Sequence, residues 1–376
     1  MSKKLSNLVS AKNPGDALCA AGCTFSTLIM GQMGRRNTRT RTLQPLLLAG
    51  ALALALPAAA QDLYFAQPYA SRLHQNPSFA GLLDDASVTL SYRNQFPTLA
   101  GTFQTSQLAA DYRFEDQHNA VGLLVNHDRT GGLGYTRFEV GGIYAYHTRL
   151  TKALAFSGGL RASYGNQRIS YSNLVFGDQL SEDGSTEMPT REVVDFKPVN
   201  YASVGVGLLL YSENFWVSLA GQHLNQPDIG FQTQASLPLR YELSTGYKHY
   251  FVRLTEKQQY REISLTPTVH YVRQGGSERA EAGLYGTITP LTLGLVYRGV
   301  PLPGAPKPRQ ILTAIAGLTV GSFRVGYAYD IGLNALSAEL GGAHEISLSL
   351  RAFDSLDAAW RRLKRQNYPA APCPAF

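Results

Sequence analysis

Cysteine is nearly missing from this chain: Cys19 and Cys23 lie near the start and Cys373 near the end. The single cysteine beyond residue 60 cannot close an internal disulfide, so that part must be held by other means even in an oxidising compartment. Charge is scarce as well, 16% of the 376 residues, against roughly 25% in an average soluble domain. The net charge of +7 suggests nucleic acid until it is divided along the sequence. Seven of the 34 basic residues (Lys3, Lys4, Lys12, Arg35, Arg36, Arg39, Arg41) and one of the 27 acidic ones (Asp16) precede Gln61. Subtraction leaves 27 basic and 26 acidic residues, a net +1, so no basic patch remains and no nucleic-acid partner is expected. Also missing are Gly-x-Ser-x-Gly, a Walker loop, His-Glu-x-x-His and Cys-x-x-Cys. The eight histidines are scattered along the chain. These absences predict no enzyme activity, no metal and no cofactor.

The basic head has its own explanation. Arg35, Arg36, Arg39 and Arg41 precede the apolar run Leu46 to Leu56, which ends in Pro57-Ala58-Ala59-Ala60. This is the pattern of a secretory signal peptide, cleaved between Ala60 and Gln61. The run is too short for the roughly 20 residues of a spanning helix. Nothing before Met33 fits a signal pattern, which leaves Met33 as an alternative start.

What the sequence has in quantity is Gly, Tyr and alternation. Phe323, Val325, Tyr327 and Tyr329 alternate with Arg324, Gly326, Ala328 and Asp330. Ile346, Leu348 and Leu350 alternate with Ser347, Ser349 and Arg351, and Leu291, Leu293, Leu295 and Tyr297 with Thr292, Gly294, Val296 and Arg298. Period two over about ten residues, repeated between turns, predicts strands with one apolar face. Fourteen are expected: 87–92, 104–113, 120–128, 136–147, 154–166, 201–211, 215–224, 241–250, 262–273, 279–287, 291–298, 311–320, 323–330 and 344–353. The fold class is therefore all-β, a transmembrane antiparallel barrel, because closure alone removes edges that lipid cannot satisfy.

The connections agree. With a periplasmic N-terminus, 212–214, 289–290 and 321–322 are short inner turns, while 167–200, 225–240, 299–310 and 331–343 are long outer loops. The inner connection 251–261 is longer than this pattern expects. After the last strand, Leu356, Ala359, Trp360 and Leu363 recur at helical spacing, with Arg361, Arg362, Lys364 and Arg365 near the helix end. The expected organisation is 1–60 as extension and signal peptide, 61–86 as a periplasmic segment, 87–353 as the barrel and 354–376 as a helical periplasmic tail. Phe353, the aromatic at the end of the closing strand, is a candidate assembly signal.

Several segments in order resemble the PorP/SprF family of the type IX secretion system of Bacteroidota, which is linked to gliding motility. They are Phe65-x-Gln67, Asn76-Pro77-Ser78-Phe79-Ala80-Gly81, Tyr92-Arg93-Asn94-Gln95-Phe96-Pro97, and Gly122 through Asp128 with Gly131-Gly132. Tyr144-Ala145-Tyr146-His147, Phe176-Gly177-Asp178-Gln179, His223-Leu224-Asn225-Gln226-Pro227, Tyr329-Asp330, Gly342 through Leu348 and Cys373-Pro374 follow. The resemblance implies an outer-membrane accessory that helps cargo reach or stay on the cell surface. Its implied partners are cargo proteins with C-terminal sorting domains, other periplasmic and outer-membrane secretion components, and membrane lipid. The extended head and the 354–370 segment depart from the family pattern.

Laid on the strand map, Arg93, Asn94, Gln95, Asp178, Gln179, Asn225, Gln226 and Asp330 fall in outer loops or at their roots. They either hydrogen-bond one another to pack the loops or form a docking surface for cargo. Arg93 and Asp178 come from separate outer connections and are the expected exposed pair. Rival readings are a passive porin or small-molecule transporter, whose lumen would be water-filled, and a barrel hydrolase assembled from separate strands. Small lumen-facing residues such as Gly294, Gly326 and Ala328 suit either a pore or a filled interior. N-terminal sequencing of the protein from outer membranes should begin at Gln61; a mature chain that retains 46–56 contradicts the signal peptide.

Overall fold

The computed structural model describes residues 62–82, 86–98, 101–131, 134–170, 177–179, 191, 197–256, 259–301, 310–333 and 341–351. The cleavage site Ala60–Gln61, Phe353 and the expected helical tail 354–376 lie outside the described residues. Fifteen strands are assigned. The first seven are β1 (Ala86–Gln95), β2 (Phe103–Arg113), β3 (Asn119–Thr130), β4 (Tyr135–Arg149), β5 (Ala155–Ile169), β6 (Val199–Tyr211) and β7 (Phe215–Gln222). Then come β8 (Arg240–Tyr247), β9 (His249–Glu256), β10 (Gln259–Gln274) and β11 (Ser277–Ile288). The last four are β12 (Leu291–Arg298), β13 (Ile311–Val320), β14 (Phe323–Gly332) and β15 (Ala343–Arg351). Neighbouring strands pair antiparallel in sequence order, except that β8 and β9 both pair with β10 and not with each other; β15 returns to β1, and β10 joins β11, so the sheet closes on itself.

β8 and β9 form one stave. Gly246 pairs with Thr268 and His249 with Leu265 in a common register, so both lie along the same edge of β10. Counting them together, the barrel has fourteen staves, as the periodicity predicts. This also corrects the long inner connection expected at 251–261. The strand continues through those residues to Glu256, and β10 begins at Gln259. Both chain ends of the barrel, Ala86 and Arg351, lie at one rim, where the turns are short. The strand ends joined by the long connections β5–β6, β7–β8, β12–β13 and β14–β15 lie at the other rim, so that rim is the outer one. Two outer connections, 131–134 and 275–276, are short as well.

The alternation sorts every strand into two faces. In β1, Val88, Leu90 and Tyr92 are exposed while Ser87, Thr89, Ser91 and Arg93 are buried. The outward face is an apolar band edged by aromatics. Phe103, Phe138, Tyr164 and Tyr241 sit toward the outer ends of their strands, and Tyr112, Tyr146, Tyr247 and Phe323 toward the inner ends. Such girdles mark the two membrane interfaces. The inward face is largely polar with two apolar clusters, and chain packs against it.

That filling corrects the expected periplasmic placement of 61–86. Residues 62–82 lie inside the barrel, with Phe65, Ala66, Gln67, Leu73, Asn76 and Ser78 all buried. The segment contains one short helix, α1 (Arg72–Gln75), and a 3-10 turn at Pro77–Phe79. Asn76 caps that turn, its side chain accepting from the Ser78 N–H at 2.8 Å. Glycines on the wall make room for it. A Cβ on Gly207 would collide with Asn76, and one on Gly326 would collide with Gln67.

The two faces fail differently when charged. Ile346 and Leu348 are exposed to lipid as expected, and an Arg at the bilayer midplane costs about 2–4 kcal/mol, so Leu348→Arg should block assembly. Ser347 is not a tolerant lumen position, since its hydroxyl donates to Gln67 at 2.6 Å. Ser347→Arg should leave a membrane-inserted barrel whose inner segment is protease-sensitive. Heat-modifiable gel mobility and limited proteolysis separate the two, and identical behaviour refutes the facing.

Candidate functional site in the barrel lumen

The inner segment is fastened from the outer end of the barrel to the inner end. Asp62 accepts from Arg137 of β4 at 3.0 Å, stands 2.5 Å from His223 just past β7, and lies 3.6 Å from Arg240 at the start of β8. Its backbone N–H also donates to Gln274, the last residue of β10, at 3.0 Å. All four partners sit at outer strand ends. The buried Asp62 carboxylate is thus faced by Arg137, His223 and Arg240 together.

Tyr64 fills an arginine cage. The guanidinium carbons of Arg298, Arg279 and Arg93 stand 3.8, 4.3 and 5.1 Å from its ring centre, and its hydroxyl bonds Arg298. Stacked guanidinium groups are favourable here because both partners are withdrawn from water. The cage is neutralised by carboxylates: Arg93 pairs with Asp330 at 2.5 Å and Glu345 at 3.2 Å, and Arg298 with Glu281 at 3.1 Å and Asp330 at 3.5 Å. Glu345 then accepts the backbone N–H groups of Ala66 and Gln67 at 2.5 and 2.9 Å. One carboxylate thereby joins the cage to the segment's main chain.

Toward the inner rim the anchors change character. Arg72 pairs with Asp111 at 2.7 Å, and the same carboxylate accepts from the Gly81 N–H. Asn76 donates to Ser218 at 2.8 Å, Ser157 donates to the Ser78 carbonyl at 2.9 Å, and His147 meets the Ala80 carbonyl at 2.8 Å. Leu73, Phe79 and Leu82 pack with Leu124, Ile143, Leu209 and Trp216 in an apolar core. Between the two ends, His74 Nε2 lies 3.2 Å from the Leu63 carbonyl and 3.3 Å from Arg240.

Ser203 Oγ lies 2.7 Å from His223 Nδ1, and His223 Nε2 lies 2.5 Å from Asp62. This order of groups matches a hydrolytic relay. Ser203 is only 3% exposed, however, and Asp62 is shared with two arginines, so the chain fastens the segment to the wall.

The expected outer-loop residues divide into two groups. Arg93 and Asp330 are each 3% exposed and face the lumen, where they bind each other; Arg93 does not form an exposed pair with Asp178. Asp178 is exposed in the 3-10 turn Gly177–Gln179 and accepts from the Arg191 N–H at 2.5 Å. Asn225 and Gln226 are exposed in the loop after β7, with Asn225 bonded to the Val204 N–H and the Ala202 carbonyl of β6. Asn94, Gln95 and Gln179 are half-buried.

The family-like segments thus meet in one place. Gln67, Asn76, Arg93, His147, His223, Asp330 and Glu345 are far apart in sequence, yet all face the lumen and fix residues 62–82. A family model described as type IX secretion system membrane protein PorP/SprF matches residues 58–350. The chain belongs to the PorP/SprF family. The localisation is the outer membrane, and the PorP/SprF barrel is a component of type IX secretion.

No curated protein matches the sequence. Among solved structures the chain is similar to the toluene transporter TbuX of Ralstonia pickettii, at 12% identity and TM-score 0.43, covering 75% of this chain and 94% of that one. A FadL homologue of Pseudomonas aeruginosa is similar at 12% identity and TM-score 0.41, with 77% and 95% covered. The toluene transporter TodX of P. putida follows at 11% and 0.40, with 74% and 93% covered.

Truncating one member of a buried ion pair costs on the order of 3–5 kcal/mol, because the other charge is left unpaired. Glu345→Ala removes one of the two carboxylates on Arg93, which keeps Asp330, and leaves two buried main-chain N–H groups without their acceptor. In planar bilayers the native barrel should conduct poorly and Glu345→Ala should show large, fluctuating openings. A native protein with steady porin-like conductance would refute the occupied lumen.

Proposed function

We propose that this PorP/SprF barrel is an accessory and anchoring protein that acts by binding, supporting secretion or surface attachment of particular cargo proteins. The observation that carries the reading is the occupied lumen in a member of a secretion family. A barrel whose interior is fixed from rim to rim by its own residues 62–82 suits a rigid platform better than a conduit. Cargo with C-terminal sorting domains would meet the outer rim, and periplasmic secretion components the inner one. Adhesins and gliding-related proteins are the cargo classes that the family points to.

The exposed members of the outer polar set, Asp178, Asn225 and Gln226, are the contact candidates. Arg93 and Asp330 act from beneath, holding the roots of the outer loops in place. Deleting the gene and comparing the surface proteome tests the general role. For the docking surface, Asp178→Ala and Gln226→Ala should change stability by about 0.5 kcal/mol or less, as surface substitutions usually do. The barrel should reach the membrane at normal levels while cargo leaves the surface or sheds into the medium. Normal cargo display in both variants sinks the docking surface and leaves these loops as packing.

A further inference from the structure

At the outer membrane interface the lipid-facing wall of β2 to β5 carries a polar row. Gln104 of β2 stands opposite Arg129 of β3, Arg129 opposite Thr136 of β4, and Thr136 opposite Arg168 of β5. Both arginines point away from the lumen. In β3 Leu124 and Asn126 are buried while His127 and Arg129 are exposed, and in β5 Gln167 is buried while Arg168 is exposed. Phe138 of the outer aromatic girdle lies opposite His127 and Asn166, two residues inward of this row. The arginines therefore stand roughly 7 Å beyond the girdle along their strands, at the level of lipid headgroups.

Among the described residues neither Arg129 nor Arg168 has an ion-pair or hydrogen-bond partner. Asp128, next to Arg129 in the chain, faces the other side of the wall and accepts from Thr105 at 2.6 Å. Arg273, exposed near the outer end of β10, is by contrast paired with Glu278 at 3.3 Å. A guanidinium fork matches the oxygens of a phosphate, which is the anion a membrane surface offers at this depth. Directly inward of the row the wall is hollowed. Ser106 is small and sits between Tyr92 of β1 and His127 of β3, whose larger side chains stand up on either side of it. The resulting groove, of about 410 Å³, runs along β2 over Ser106 and Leu108 between Leu90 and Val125. It opens into the apolar band, where hydrocarbon is the solvent, and its outer end lies beneath Gln104 and Arg129.

We propose that this face binds one phosphorylated glycolipid of the outer leaflet, with headgroup phosphate on Arg129 and Arg168 and one acyl chain in the groove along β2. The width of the row selects the headgroup. Arg129 and Arg168 are two interstrand spacings apart, about 10 Å, and the row from Gln104 to Arg168 spans three, about 14 Å. A phosphorylated disaccharide covers that span, whereas a glycerophospholipid brings a single phosphate. Gln104 and Thr136 lie between and beside the arginines, where they can hydrogen-bond sugar hydroxyls. The site needs only a barrel placed in the outer membrane and is independent of how cargo is bound.

Native mass spectrometry of the full chain in detergent micelles, titrated with bisphosphorylated lipid A, tests the site. The expected result is one saturable adduct per barrel. The same lipid without its phosphates, and phosphatidylglycerol of matched acyl length, should each bind about tenfold more weakly or less. The double variant Arg129→Gln with Arg168→Gln should lower affinity for the phosphorylated probe at least about tenfold, while Arg273→Gln leaves it unchanged. Ser106→Leu fills the groove with an apolar side chain that lipid tolerates, and should weaken binding roughly fivefold with both arginines intact. Heat-modifiable gel mobility shows that each variant is folded, and the comparison of probes on the native chain needs no variant. No saturable adduct, equal binding of the dephosphorylated lipid, or undiminished binding in the double arginine variant overturns the proposal. Phosphatidylglycerol binding as tightly as lipid A overturns it as well, because the site then reads one phosphate and no sugar. A loss in Arg273→Gln equal to that in the double variant also overturns it, since general surface charge would then explain the binding.

Discussion

A barrel wall that alternates apolar and polar side chains solves the lipid problem and creates another one inside. Lumen-facing Arg, Glu, Asp and Gln must be hydrated by a channel or satisfied by protein, because a buried charge without a partner is expensive. Here residues 62–82 supply the partners. Asp62 meets Arg137, His223 and Arg240; Tyr64 fills the space between three arginines; Glu345 binds the segment's own backbone. Other features follow from this occupancy. Gly207 and Gly326 are small because Asn76 and Gln67 press against them, and Ser157 and Ser218 are polar because the segment's main chain and Asn76 need partners.

The anchoring is graded along the barrel axis. Toward the outer rim it is ionic, and its members belong to strands as distant as β1, β4, β8, β12 and β15. Toward the inner rim a single ion pair, Arg72–Asp111, joins an apolar core and neutral hydrogen bonds around Asn76 and Ser78. A charge network of this kind specifies position, since each carboxylate serves several donors and tolerates little displacement. The Arg93–Asp330 pair fixes the outer ends of β1 and β14 from within.

The two rims are unequal in another respect. The long connections leave from the outer rim, whereas the inner rim carries short turns and the β9–β10 hairpin.

Period-two alternation is local, so the sequence by itself determined the strands, their lipid-facing residues and the even count. Val88, Leu90 and Tyr92 announce their face because each differs in polarity from the residue beside it. The family was legible for a related reason, since its motifs are short and survive in order. Two things were not legible. The segment 61–86 reads as a periplasmic segment, and nothing local distinguishes such a segment from chain threaded through a lumen. Arg93 and Asp330 read as loop roots, because their burial depends on partners more than two hundred positions away. Only closure of the barrel brings Arg93, Asp330, Glu345 and Tyr64 together. Pairing between distant segments is a property of the closed sheet, and no single stretch of sequence carries it.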